Sequence, residues 1–167
     1  MSASDDRSAG RRGDLNRPRQ TQPVASLDDL VIGQVFDFGT LRLSEAEIRD
    51  FAGRFDPQYF HLDPEAAKDS IFGELVASGL HTLSAAFGRI MGSGVFNAIS
   101  LGGNQIDTRW PAPLRPEEEV AIRSEVVEVR PSRSGRQLGV ARLRHTATRT
   151  ADGVLVLEAI GTHFLKR

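Results

Sequence analysis

The chain has 167 residues, 40% hydrophobic and 26% charged, with 16 Gly, 8 Pro and no Cys; this ordinary globular usage excludes fibrous and wholly disordered classes and favours one folded domain. With 21 Lys+Arg against 22 Asp+Glu the formal net charge is -1, so no overall basic field draws the chain onto nucleic acid or anionic lipid, and a phosphate-bearing ligand must be caught locally. Lack of cysteine rules out disulfides, thiolate metal sites and a catalytic Cys, and no apolar run reaches the roughly 18 to 20 residues of a membrane span. The beginning of the chain shows no apolar signal segment, so the expected address is the cytoplasm.

Residues 1–22 contain Arg7, Arg11, Arg12, Arg17 and Arg19 among Ser, Gly, Pro and Gln, with one Leu and no aromatic. They cannot bury enough surface to offset chain entropy and are expected to be disordered, leaving a single, mildly acidic domain over 23–167. Val31 to Leu43 reads as a strand or loop-strand. Ser44 and Glu47 have the spacing of a capping box, which opens a helix carrying the apolar stripe Ile48, Phe51, Ala52, Phe55. Pro57 ends that helix by restricting Asp56, and Pro64 can open a short helix through Lys68, with Asp63 as its N-cap. From Ser78 to Gly94, Leu80, Leu83, Phe87, Ile90 and Met91 recur at helical spacing among small residues, which predicts a helix packed closely on all sides. After a break at Gly102-Gly103, strands are expected over 120–129, 138–149 and 154–165, joined by turns at 133–136 and 152–153. These elements predict an α+β domain in which a curved antiparallel sheet wraps the small-residue helix.

Chemistry concentrates between Phe51 and Thr82. Asp56 and His61, five apart, would lie about 140° apart on an intact helix. The break at Pro57 lets the carboxylate turn back toward the imidazole, and such a pair moves protons to or from water near neutral pH. Gln58 between them offers an amide to orient that water. Gly79 opens the long helix, where the first amides lack intrahelical acceptors and the dipole is positive, a place to hold an enolate oxygen. Each residue also has a plainer explanation: Asp56 can simply end its helix, and His61 can be satisfied by a backbone carbonyl. His81, His145 and His163 complete the histidines, and nothing places the four at metal-ligand spacing, so no metal is assigned.

Asp56, Gln58, His61 and Gly79 resemble the motif of the MaoC-like dehydratases and R-specific enoyl-CoA hydratases: Asp, Asn or Gln two residues on, His five on, then a helix-opening Gly. Phe51-Ala52, Phe72-Gly73, Ala77-Ser78-Gly79 and His81-Thr82 extend the resemblance, which continues weakly through Trp110 and 113–116 to the C-terminus. It implies a hot-dog fold that dimerises side by side, an acyl-CoA thioester substrate and no cofactor. Reversible syn addition of water to a trans-2-enoyl thioester would then use Asp56 and His61 as the catalytic pair, Gln58 to steady the water and the Gly79 amide to hold the enolate oxygen. Tyr59 and Leu80 stand where relatives often carry Pro and Trp, which makes them acyl-pocket candidates. Arg130, Arg133 and Arg136 around a predicted hairpin are the candidates for coenzyme A phosphates. Competing readings are a hot-dog thioesterase, which directs water at the thioester carbonyl, and a non-catalytic acyl-CoA-binding subunit.

Overall fold

The computed structural model describes residues 19–20, 22–132 and 137–167; the rest of the N-terminal stretch, and with it Arg133 and Arg136, lies outside them. Six strands form one sheet in the order β1-β2-β4-β5-β6-β3. They are β1 (Arg19–Gln20), β2 (Val35–Leu41), β3 (Ser100–Arg109), β4 (Val120–Pro131), β5 (Leu138–Arg149) and β6 (Leu155–Lys166). The two-residue β1 falls within the stretch whose composition predicts disorder and pairs in parallel with β2; every other pairing is antiparallel. Helix α1 spans Glu45–Phe55, α2 is a single turn over Tyr59–Leu62, and α3 spans Gly79–Gly92. The sheet curls about α3 in the expected hot-dog arrangement.

The strands form where apolar and polar residues alternate. Val120, Ile122 and Val126 of β4, Ala141, Leu143 and Ala147 of β5, and Leu157, Ala159 and Leu165 of β6 are buried. The arginines between them remain on the outer face, where Glu125 is registered opposite Arg144 and Asp37 opposite Arg123. Both are ion pairs. Exposed pairs contribute little stability, but a one-residue slip would set these charges against the wrong neighbours.

Three sequence expectations need correction. Gly102-Gly103 does not break the chain: both lie within β3, whose register shifts between Ser100 and Gly102 and again between Gly103 and Gln105. The strand escaped detection because almost all of it is exposed at the sheet edge, so selection for a buried face leaves no alternation. The segment after Pro64 forms a 3-10 turn over Ala66–Asp69 rather than an α-helix, with Asp63 Oδ1 accepting from the amides of Glu65 and Ala66 at 2.8 and 3.3 Å. Finally, α3 is not enclosed on every side. Thr82, Ala86 and Ile90 face the sheet, whereas Leu80, Ser84 and Gly88, each four residues on, are exposed.

A polar chain crosses the core beneath α3. Ser124 Oγ and His145 Nδ1 are 2.7 Å apart, and His145 Nε2 is 3.3 Å from His163 Nε2. Glycine at 161 makes room for this, since a Cβ there would fall 2.4 Å from His163 Nε2. Phe87 stacks on His163 and meets His145 edge-on. Burial and the neighbouring His163 push His145 from its ordinary 6.5 down to about 3, and burial also lowers His163 and, on α1's side of the helix, His81.

His145 thus folds neutral, while in the unfolded chain it protonates below its ordinary value. Stability is therefore full above that value and lost as pH falls through it. The urea midpoint is expected to drop steadily as pH is lowered from about 7 to about 5, and His145→Gln to flatten that slope. A midpoint independent of pH over this range would contradict the assignment.

Candidate active site

Two signals fix the length of α1. At its start Ser44 N donates to Glu47 Oε2 at 2.8 Å and Glu47 N to Ser44 Oγ at 3.3 Å, the reciprocal capping box. At its end Asp56 is the C-cap, its own amide still bonded to Ala52 O but its dihedrals (φ -154°, ψ 68°) no longer helical. Pro57 follows, and the chain re-enters a single turn in which His61 N donates to Gln58 O. This reversal places Asp56 Oδ2 3.5 Å from His61 Nε2.

His61 is 5% exposed. Its Nδ1 lies 2.7 Å from Val76 O, so that nitrogen carries a proton and donates it to the carbonyl. In the neutral ring Nε2 is then a lone pair turned toward Asp56. The carboxylate is held on both oxygens: Gln58 Nε2 donates to Oδ1 at 2.8 Å, and Ser78 Oγ to Oδ2 at 2.6 Å. The Ser78 hydrogen bond is the main force lowering the Asp56 pKa below its ordinary value, partial burial opposes it, and Gln58 and, when it is protonated, the facing His61 add to it. An ionised carboxylate and, in the neutral ring, an imidazole lone pair thus converge, two acceptors suited to the two hydrogens of one water.

Ser78 also joins this pair to α3. It is the N-cap, and its Oγ accepts from Leu80 N at 3.2 Å. Gly79 is the first helical residue, where the amide has no intrahelical acceptor by position. Asp56, Gln58, His61 and Gly79 line a single cleft of about 570 Å³, walled by Phe60, Phe72, Leu80 and the segment from Trp110 to Leu114.

The structure therefore brings together Asp56, Gln58, His61, Gly79 and Leu80, with Gln58 gripping the carboxylate through its amide nitrogen. It does not bring Tyr59 into the cleft. Two residues apart on a helical turn, Tyr59 and His61 point about 200° apart, and the half-exposed Tyr59 ring packs edge-on to Phe60. Arg130 stands at the end of β4 opposite Val140, 4.0 Å from Glu128, and no residue of β4 or β5 lines the cleft. Sequence reasoning missed Trp110, Phe60, Phe72 and the roles of Ser78 and the Val76 carbonyl. Ser78 had a usable signal, a serine immediately before a helix start; a carbonyl acceptor leaves none. Among the described residues no group of three or more His, Asp or Glu is placed to hold a metal ion, and no helix is long and apolar enough to cross a membrane.

Residues 28–149 match the MaoC-like domain. The chain belongs to the MaoC-like dehydratase family. This MaoC-like chain is 35% identical over 115 residues to the uncharacterized protein YdeM of Bacillus subtilis, an alignment spanning 68% of this chain and 80% of that one. The crystal structure of a MaoC-like dehydratase from Rhodospirillum rubrum superposes with a TM-score of 0.78 at 34% identity, covering 85% of this chain and 97% of the other. The R-hydratase PhaJ1 of Pseudomonas aeruginosa shares the fold with a TM-score of 0.67 at 18% identity, covering 86% of each chain.

Ser78→Ala is expected to raise the Asp56 pKa toward its ordinary 3.8, and Gln58→Leu to raise it less. Carboxyl carbon NMR titration reads both shifts. An unmoved Asp56 in Ser78→Ala would show that the hydroxyl is not what holds the charge.

Proposed function

We propose that this protein is an R-specific enoyl-CoA hydratase, working reversibly as a (3R)-hydroxyacyl-CoA dehydratase. The observation that carries the reading is the 3.5 Å approach of Asp56 Oδ2 to His61 Nε2, in a cleft that also contains the first residue of α3. Membership of the MaoC-like dehydratase family supports the reaction class, and the acyl-CoA substrate is the proposal's own step.

In this reading one water donates a hydrogen bond to each member of the pair. In the neutral ring, whose proton sits on Nδ1 against the Val76 carbonyl, His61 Nε2 takes the proton, and ionised Asp56 offsets the imidazolium charge. The hydroxide bonds to the β-carbon, the double-bond electrons move toward the thioester carbonyl, and the pair returns the proton to the α-carbon on the same face. The Gly79 amide and the positive end of α3 hold the oxygen on which negative charge develops; losing one such donor typically costs about 3 to 4 kcal/mol of transition-state stabilisation. The cleft walls are apolar, which suits an acyl chain. The exposed β3, the last strand on its side of the sheet among the described residues, supports a side-by-side homodimer, because an edge strand invites a second strand.

Incubation with crotonyl-CoA should consume the conjugated enoyl absorbance, release no free thiol and yield the (3R)-hydroxy product. Thiol release with conjugation intact would establish a thioesterase instead. Asp56→Asn is expected to lower kcat by at least about a hundredfold, the scale of a general acid-base group, with an unchanged circular dichroism spectrum. Near-normal turnover of that variant would overturn the assignment.

A further inference from the structure

The chain has one tryptophan, and it lies against the first residue of α3. A Cβ added to Gly79 would stand 2.7 Å from Trp110 Cε2, 2.9 Å from Cδ2 and 3.0 Å from Nε1. Cε2 and Cδ2 form the bond shared by the two indole rings and Nε1 adjoins it, so the middle of the indole rests on the glycine. Glycine is required at 79 because the ring occupies the side-chain position. The Gly79 residue and the indole are therefore immediate neighbours in the wall of one cleft.

The backbone is anchored on both sides of Trp110. Arg109, the residue before it, is registered opposite Glu158 in the sheet, with Nε 2.9 Å from Glu158 Oε1. Beyond it Pro111 and Pro113 have fixed φ, and the buried Leu114 offers its carbonyl to Ala77 N at 2.8 Å, directly before Ser78. Trp110 is nonetheless 44% exposed and lines the same cleft as Asp56 and His61. It borders the cleft on a backbone anchored at both ends.

We propose that Trp110 is the specificity-determining wall of this site, limiting the bulk a substrate can carry on the carbon next to the thioester carbonyl. The inference rests on the hydratase reading for its substrate. With the thioester oxygen on the Gly79 amide, the α-carbon is one bond from the carbonyl carbon, and a substituent on it is the part of the acyl group closest to the indole. A methyl group there must fit against a ring carried on backbone that two prolines and a sheet register restrain. Acyl chain beyond the β-carbon extends away from this contact, so Trp110 discriminates branching more than length.

The test compares kcat/KM for crotonyl-CoA and 2-methylcrotonyl-CoA in the wild type, Trp110→Ala and Trp110→Phe. The branched-to-unbranched ratio is expected to rise about tenfold or more in Trp110→Ala, the scale of one methyl group in a tight pocket, and by a smaller factor in Trp110→Phe. Should the alanine variant fail to fold, the phenylalanine variant carries the comparison. Butyryl-CoA, which has no double bond to hydrate, is expected to shift the wild-type tryptophan emission more than free coenzyme A does. An unchanged ratio in folded variants of an enzyme that hydrates crotonyl-CoA overturns the wall and leaves the hydratase reading standing. Emission that responds to butyryl-CoA in a protein that hydrates neither substrate overturns the hydratase reading while supporting the thioester contact. Emission indifferent to butyryl-CoA overturns the contact itself.

Discussion

The Ser78 hydroxyl makes two hydrogen bonds on which the site depends. It donates to Asp56 Oδ2 and accepts from Leu80 N, so the carboxylate and the start of α3 are fixed by the same atom. A fully buried hydroxyl without partners would be costly, which ties the position of α1's end to that of α3's beginning. The same bond keeps Asp56 charged against partial burial. An ionised carboxylate beside a helix N-terminus is favourable in itself, so cap, charge and dipole act in the same direction.

Much of this was legible because the deciding signals are local. Ser44 with Glu47, and Pro57 after Asp56, set both ends of α1 without reference to the rest of the chain. β5 alternates over most of its length, and β4 and β6 over most of theirs, because each has one face in the core. β3 had no such pattern, since an edge strand exposed along its length has nothing to alternate with, and its two glycines look like a turn. With β3 unseen, Trp110 had no element to place it. α2 is too short for periodicity, so the Tyr59 assignment rests on its place in the family pattern alone, whereas a helical turn directs it away from His61. The contact of Asp56 with His61 was foreseeable from the proline; the Val76 carbonyl that sets the histidine tautomer was not, because every residue has a carbonyl.

The core beneath α3 obeys a different constraint. Ser124, His145 and His163 carry polar atoms where Val or Leu would pack more simply, and they satisfy one another in sequence. Their arrangement depends on a side chain that is absent, at Gly161, and on Phe87 reaching down from α3. The helix that begins at the cleft is thus seated, two turns later, on this histidine pair. Whatever shifts that seat moves the Gly79 amide along with it.

The eleven residues of α1 also act as a ruler. Ile48 and Ala52, both buried, lock the helix rotationally, and each residue added or removed between them and Asp56 would swing the carboxylate by about 100° around the axis. One inserted codon would aim it away from the imidazole without disturbing cap or proline. Exchanges of side chain on the outer face of this helix leave that aim intact, whereas a change of its length does not.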